Sequence, residues 1–209
     1  MKKVIVLVSG FTFLLQVLPT TAAPSQQQKT KSFAQWCQQK DSVPAATKLT
    51  IDLLLKEAGT QNCQQADSYI NSLTELNLSG KGISDLQPLS GLTKLTGLYL
   101  DSNKISDLKP LAGLTKLMGL GLNENKISDL KPLSGLTKLI GLHLSNNKIS
   151  NIKPLAGLIQ LNTLYLQNNQ IIDAKPLSKM NKLDSICLFN NKIIDKNLTF
   201  MNREDACKL

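Results

Sequence analysis

A chain of 209 residues with 42% hydrophobic and 19% charged residues carries enough apolar material for a packed core, which excludes wholesale disorder and fibrous low complexity. The formal net charge is +9 and only 4% of residues are aromatic, but the bias lies in two residue types. Leu supplies 39 positions, and every basic residue except Arg203 is Lys. Bias of this kind marks an internal repeat.

In chain order, residues 1–23 read as a secretory signal peptide. Lys2 and Lys3 form a positive start, Val4 to Leu18 an apolar stretch, and Thr21-Ala22-Ala23 a small-residue cleavage position. The apolar stretch is shorter than the ~20 residues a membrane span needs, so no transmembrane segment is expected in the mature chain. Retention as an uncleaved anchor is the alternative. Removing Lys2 and Lys3 takes the charge from +9 to +7. Residues 24–32 are rich in Gln, Lys and Ser and read as a flexible leader. Residues 33–72 read as a small helical cap: Ala46, Leu49, Leu53, Leu54 and Ala58 recur at helical spacing, Gly59 is a C-terminal stop, and Ala66, Tyr69, Ile70 and Leu73 suggest a second amphipathic turn.

From Leu73 the sequence repeats every 22 residues, and 73–200 holds six units that begin at Leu73, Leu95, Leu117, Leu139, Leu161 and Leu183. The third unit shows the pattern: Leu117, Leu120, Leu122, Asn125, Ile127, Leu130, Pro132, Leu133 and Leu136. Alternation around the fourth to sixth positions predicts a short strand with Leu pointing inward. Asn103, Asn125, Asn147, Asn169 and Asn191 form a ladder at the turn after each strand, where a side-chain amide can satisfy the backbone of neighbouring coils. Pro88, Pro110, Pro132, Pro154 and Pro176 fix the opposite side, which predicts short turns or 3-10 segments rather than full helices there.

These motifs resemble bacterial leucine-rich-repeat proteins of the internalin-like class with 22-residue units, over Leu73 to Phe200. The resemblance implies a right-handed solenoid of the α/β repeat type, with a curved parallel sheet on its concave face. It also implies a protein that holds other molecules rather than transforming them. Lys81 in the first unit and Lys196 in the last depart from the pattern, as terminal repeats merging into caps do. Residues 201–209 are read as the C-terminal cap or tail.

Cys37, Cys63, Cys187 and Cys207 are an even set in a chain read as exported, so disulfides are expected, with three connectivities open. The repeats favour Cys37 with Cys63 and Cys187 with Cys207, because each pair lies at one end of the solenoid and staples a cap over its apolar cross-section. A zinc site is the rival, but no two Cys lie within four residues and His143 is the sole His, so no metal or other cofactor is expected.

Positions three, five and seven of each unit are predicted to face solvent. Position three holds Glu75, Gly97, Gly119, Gly141, Thr163 and Ser185; position five Asn77, Tyr99, Gly121, His143, Tyr165 and Cys187; position seven Ser79, Asp101, Asn123, Ser145, Gln167 and Phe189. Solvent-facing aromatics suit a protein-binding surface, since they bury large area at small rotamer cost. The predicted contacts are Tyr99, His143 and Tyr165 at the centre, Asp101, Asn123 and Gln167 setting orientation, and Phe189. Six strands ~4.8 Å apart give a face roughly 25 Å long, enough for a patch of about 800 Å² per partner.

Three Lys columns, such as Lys104, Lys126, Lys148 and Lys192, suggest an anionic polysaccharide or membrane surface as an alternative partner. Against it stands an acidic ladder, Asp85, Asp107, Asp129, Asp173 and Asp195, expected to balance much of the Lys. One Arg, and aromatics away from the Lys columns, argue against nucleic acid. A triad could be sketched from His143, Ser145 and Asp101, but no Gly-rich elbow or oxyanion loop accompanies it, and the chain is read as no enzyme. Asn77-Leu78-Ser79 and Asn197-Leu198-Thr199 match the glycosylation acceptor pattern. The expected function is that of a secreted or periplasmic binding module with a protein partner; a structural envelope role without a dedicated partner is the other alternative.

Overall fold

The computed structural model describes residues 31–194. The stretch read as a signal peptide, most of the leader, the tail, Asp195, Asn197 and Cys207 lie outside the described residues, and so does the expected pairing of Cys187 with Cys207.

Three helices open the described chain: α1 Phe33–Gln38, α2 Ala45–Ala58 and α3 Cys63–Ile70. Ser32 and Gln35 form a reciprocal capping box on α1, and the Asn62 side chain accepts from the amides of Gln64 and Gln65 at the start of α3. Gly59, in the left-handed region at φ 65°, ends α2 as expected. A disulfide joins Cys37 to Cys63, with Cα atoms 5.6 Å apart, and so ties α1 to α3.

The face α2 buries differs from the one its Leu spacing predicts. Thr47, Thr50, Ile51, Leu54 and Leu55 are buried, while Leu49 is exposed. The reason is polar: the Thr47 hydroxyl donates to the Asp85 carboxylate and the Thr50 hydroxyl to the Asp85 carbonyl, so the helix turns two Thr toward the first repeat.

Six three-residue strands follow: β1 Glu75–Asn77, β2 Gly97–Tyr99, β3 Gly119–Gly121, β4 Gly141–His143, β5 Thr163–Tyr165 and β6 Ser185–Cys187. They form one parallel sheet in sequence order, each residue paired with the one 22 positions on, as Leu98 with Leu120. Between them run 3-10 turns such as Lys109–Leu111 and Lys131–Leu133, each with Pro in its first residues. Between sheet and turns lies a continuous core of Leu and Ile, including Leu98, Ile105, Leu108, Leu111, Leu114 and Leu117, all about 1% exposed or less. Each such Leu contributes about 1.5–3 kcal/mol on burial.

The Asn ladder links one coil to the next. Asn103 Oδ1 accepts from the amides of Lys81 and Ile83 in the preceding repeat, while its Nδ2 donates to the carbonyls of Leu78 and Leu100. Asn125, Asn147, Asn169 and Asn191 repeat the reach to the preceding coil. Just before each Asn, Ser102, Glu124, Asn146, Asn168 and Asn190 take φ of 53–58°, a left-handed residue the repeat pattern alone does not announce.

The acidic ladder is a backbone device. Asp107, Asp129 and Asp173 accept from the amides of Lys109, Lys131 and Lys175 two residues on, and Asp85 does the same for Gln87. Asn151 fills this place in the fourth repeat. Among the described residues the ion pairs within 4.0 Å are Lys40 with Asp52 and Lys48 with Asp41, both in the cap. The ladder therefore offsets the Lys columns by its nearby charge rather than by direct ion pairs, because its carboxylates are held over their own turns.

Candidate functional site

Strand alternation turns Leu98, Leu120, Leu142 and Leu164 into the core and turns the third and fifth positions toward the other face of the sheet, where Tyr99, His143 and Tyr165 reach the surface. On β2, Tyr99 is 38% exposed and leans across β3, its hydroxyl 3.8 Å from where a Cβ on Gly119 would stand. On β4 and β5, His143 and Tyr165 stack with ring centroids 4.8 Å apart and planes 22° from parallel. Ser185 on β6 donates to the Tyr165 hydroxyl at 3.4 Å. Burial holds the His143 pKa below its ordinary value and so favours the neutral form of the stacked imidazole, partly opposed by the charge of Asp101.

The glycines at positions three and five are less bare than their sequence suggests. A Cβ at Gly97 would meet Glu75 Cγ at 3.1 Å and Tyr99 Cε2 at 3.6 Å, and one at Gly121 would overlap Asp101 Oδ2. Missing side chains on β2 and β3 thus let carboxylates from the preceding repeat lie down across the sheet. Gly141 alone among them faces open space.

Position seven behaves differently from positions three and five. The strands end at position five, and the chain bends toward the left-handed residue at position eight, so side chains here lie along the turn. Asp101 Oδ1 accepts from the Asn123 amide at 2.9 Å, and Asn123 Oδ1 from the Ser145 amide at 2.8 Å. Ser145 is only 4% exposed, a correction to its expected outward placement. Gln167 Oε1 is buried without a hydrogen-bond partner among the described residues. Phe189, 55% exposed, stands past β6 and apart from the central aromatics. Cys187 keeps register with Tyr165 but is 2% exposed, so it is no part of the open surface.

The structure therefore brings His143 and Tyr165 together and sets Tyr99 two strands from His143, while Asp101 and Asn123 divide their polar atoms between the face and the backbone. Sequence reasoning missed Met118 and Ile140, which are 45% and 41% exposed beside β3 and β4. The signal was present: position two reads Thr74, Thr96, Met118, Ile140, an apolar pair in a solvent column. Asn77 of the first glycosylation pattern is exposed on β1, with its Oδ1 accepting from the Ser79 amide.

Residues 71–113 and 115–157 match the family model for Leucine Rich repeats in two copies. The fold is a leucine-rich-repeat solenoid. Among solved structures, this solenoid is similar to internalin C2 of Listeria monocytogenes at 43% identity and TM-score 0.57, over 59% of this chain and 54% of that one. A second Listeria monocytogenes internalin gives 36% identity and TM-score 0.60, over 62% of this chain and 38% of its own. A leucine-rich-repeat protein of Leptospira interrogans gives 30% identity and TM-score 0.58, over 66% and 37%. The chain thus spans little more than half of the first internalin and well under half of the second. A search of curated protein sequences gives no match.

Proposed function

We propose that this chain is an exported leucine-rich-repeat binding module that recognises a protein partner through the concave face of its sheet. The observation that carries the reading is the open face itself, where Tyr99 and the stacked pair of His143 and Tyr165 stand on a rigid parallel sheet with no other element of the described chain packed over them. Met118 and Ile140 add exposed apolar surface beside them. Rigid aromatic anchors ringed by polar groups are what a protein interface uses for most of its affinity. Asp101, Asn123 and Gln167 orient the partner at one margin, and Phe189 extends the surface toward the last strand. Likeness to the internalins supports binding rather than catalysis. So does the geometry: Ser145 is buried, and His143 is stacked on Tyr165 rather than hydrogen-bonded to a nucleophile among the described residues.

Export is supported by the signal-like N-terminal sequence and by the disulfide, which persists in oxidising compartments. No helix among the described residues is long and apolar enough to cross a membrane. The test is capture of a partner from extracellular material by the parent chain and by Tyr99→Ala/Tyr165→Ala. Capture should fall by roughly tenfold or more, the scale of a hot-spot loss, with the circular dichroism spectrum unchanged. Undiminished capture by the folded variant would overturn the site.

A second reading is favoured by one observation. Among the described residues no Lys of the repeat columns lies within 4.0 Å of a carboxylate, which suits an anionic polysaccharide or membrane surface. Retention on a heparin-type resin that collapses at moderate salt separates this reading from the first.

A further inference from the structure

The charges of this protein are segregated. Segments 73–80, 95–102, 117–124, 139–146, 161–168 and 183–190, which carry the strands and their margins, contain Glu75, Asp101, Glu124 and Asp184 but no Lys or Arg. Every Lys of the repeats stands elsewhere. A chain of net charge +9 thus presents a sheet face whose formal charges are all negative.

Two of these carboxylates are engaged by neighbouring side chains. Glu124 accepts from the Ser102 hydroxyl, and Asp184 from the Asn162 side chain. Glu75, by contrast, is exposed, and its side chain lies over Gly97, which the Tyr99 ring also overhangs. Asp101 uses Oδ1 for the Asn123 amide and lays Oδ2 over Gly121. Asp101 stands four residues along the chain from Gly97, the residue paired with Glu75, a span of about 13 Å for extended chain, and Tyr99 lies between them. Glu75 and the Tyr99 ring share the space over Gly97, and Asp101 lies over Gly121 on the next strand, so this part of the face offers a cation both a π face and counter-charges. Met118, Ile140 and the stack of His143 on Tyr165 continue the surface with apolar and neutral contacts.

We infer that the partner segment seated on the concave face is basic, with Lys or Arg side chains held beside Tyr99 between Glu75 and Asp101. This rests on the concave face being the binding surface and adds the chemistry of what it binds. The Lys columns outside the face repel a basic partner from other approaches, so charge also fixes where it lands.

The experiment titrates the full chain against two short fluorescent peptides, one alternating Arg with Ser and one alternating Glu with Ser. The Arg peptide should bind, weaken as salt rises, and bind Glu75→Gln/Asp101→Asn roughly tenfold less well. Asn at 101 keeps the oxygen that accepts from the Asn123 amide, and Glu75→Gln alone, at an exposed position, gives a smaller loss in the same direction. An Arg peptide that does not bind, or that binds the double variant unchanged, overturns the inference. If that occurs while Tyr99→Ala/Tyr165→Ala still lowers partner capture, the basic partner falls and the concave-face reading stands. If the Tyr exchanges also change nothing, both fall.

Discussion

Asn147 accepts from the amide of Ile127 and donates to the carbonyls of Leu122, Leu144 and Ser145, so one side chain completes the backbone of two coils. Asn147→Ala leaves these groups buried and unpaired, and should cost about 3 kcal/mol or more in urea unfolding. His143 supplies a pH dependence. Its folded pKa lies below the unfolded value, so the native state binds fewer protons; its contribution to stability is full above the ordinary histidine value of about 6.5 and is lost as pH falls from there through the lower folded pKa. Denaturant midpoints should therefore decline below about pH 6.5, and His143→Gln should remove that part of the decline. Because His143 is the sole His, its NMR titration reads the site directly, and Asp101→Asn should lower the pKa further. The Asn ladder and the aromatic columns are legible in the sequence because each recurs at one repeat position. The role of Asp107 and Asp129 is not, since a side chain two residues before a Lys says nothing about whether it meets the ammonium or the backbone amide.

The helical cap is the element where propensity and packing part company. Leu49 and Leu54 fit the same amphipathic pattern, yet only Leu54 is buried, because Thr47 and Thr50 are claimed by Asp85. Hydrophobic spacing cannot show a polar docking contact between segments 35 or more residues apart. The disulfide between Cys37 and Cys63 closes a loop of 26 residues and should contribute about 3 kcal/mol. In Cys37→Ala/Cys63→Ala, amide exchange should accelerate first in α1 and α3 and then in the first repeat, where α2 docks. Uniform acceleration through β6 would mean that the cap is not a separable unit of stability.

At the scale of the molecule, the 22-residue period makes the six-stranded sheet and the Leu core readable before any coordinates, since each Leu column buries itself against its own copy. The distribution of charge is less legible along the chain. Glu75 and Asp101 stand 26 positions apart in sequence, and only the parallel register, with glycines at Gly97 and Gly121, brings both onto one face, each over the glycine of the next strand. Position seven misleads for a related reason: the strands stop at three residues, so alternation carried past Tyr99 or His143 assigns Ser145 to a surface it does not reach.

The Asn ladder also has a direction. The amides of Ile83, Ile105, Ile127 and Ile149 are satisfied by the Asn of the repeat that follows, never by their own. The chain emerges N-terminus first, from a ribosome or an export channel, so the newest coil waits with an open turn until the next Asn emerges some 20 residues later. Folding during synthesis must then trail translation by one repeat. A pause or truncation inside the array exposes the same defect wherever it falls, an unclosed amide at the growing end that invites the nearest identical coil, including one from a neighbouring nascent chain.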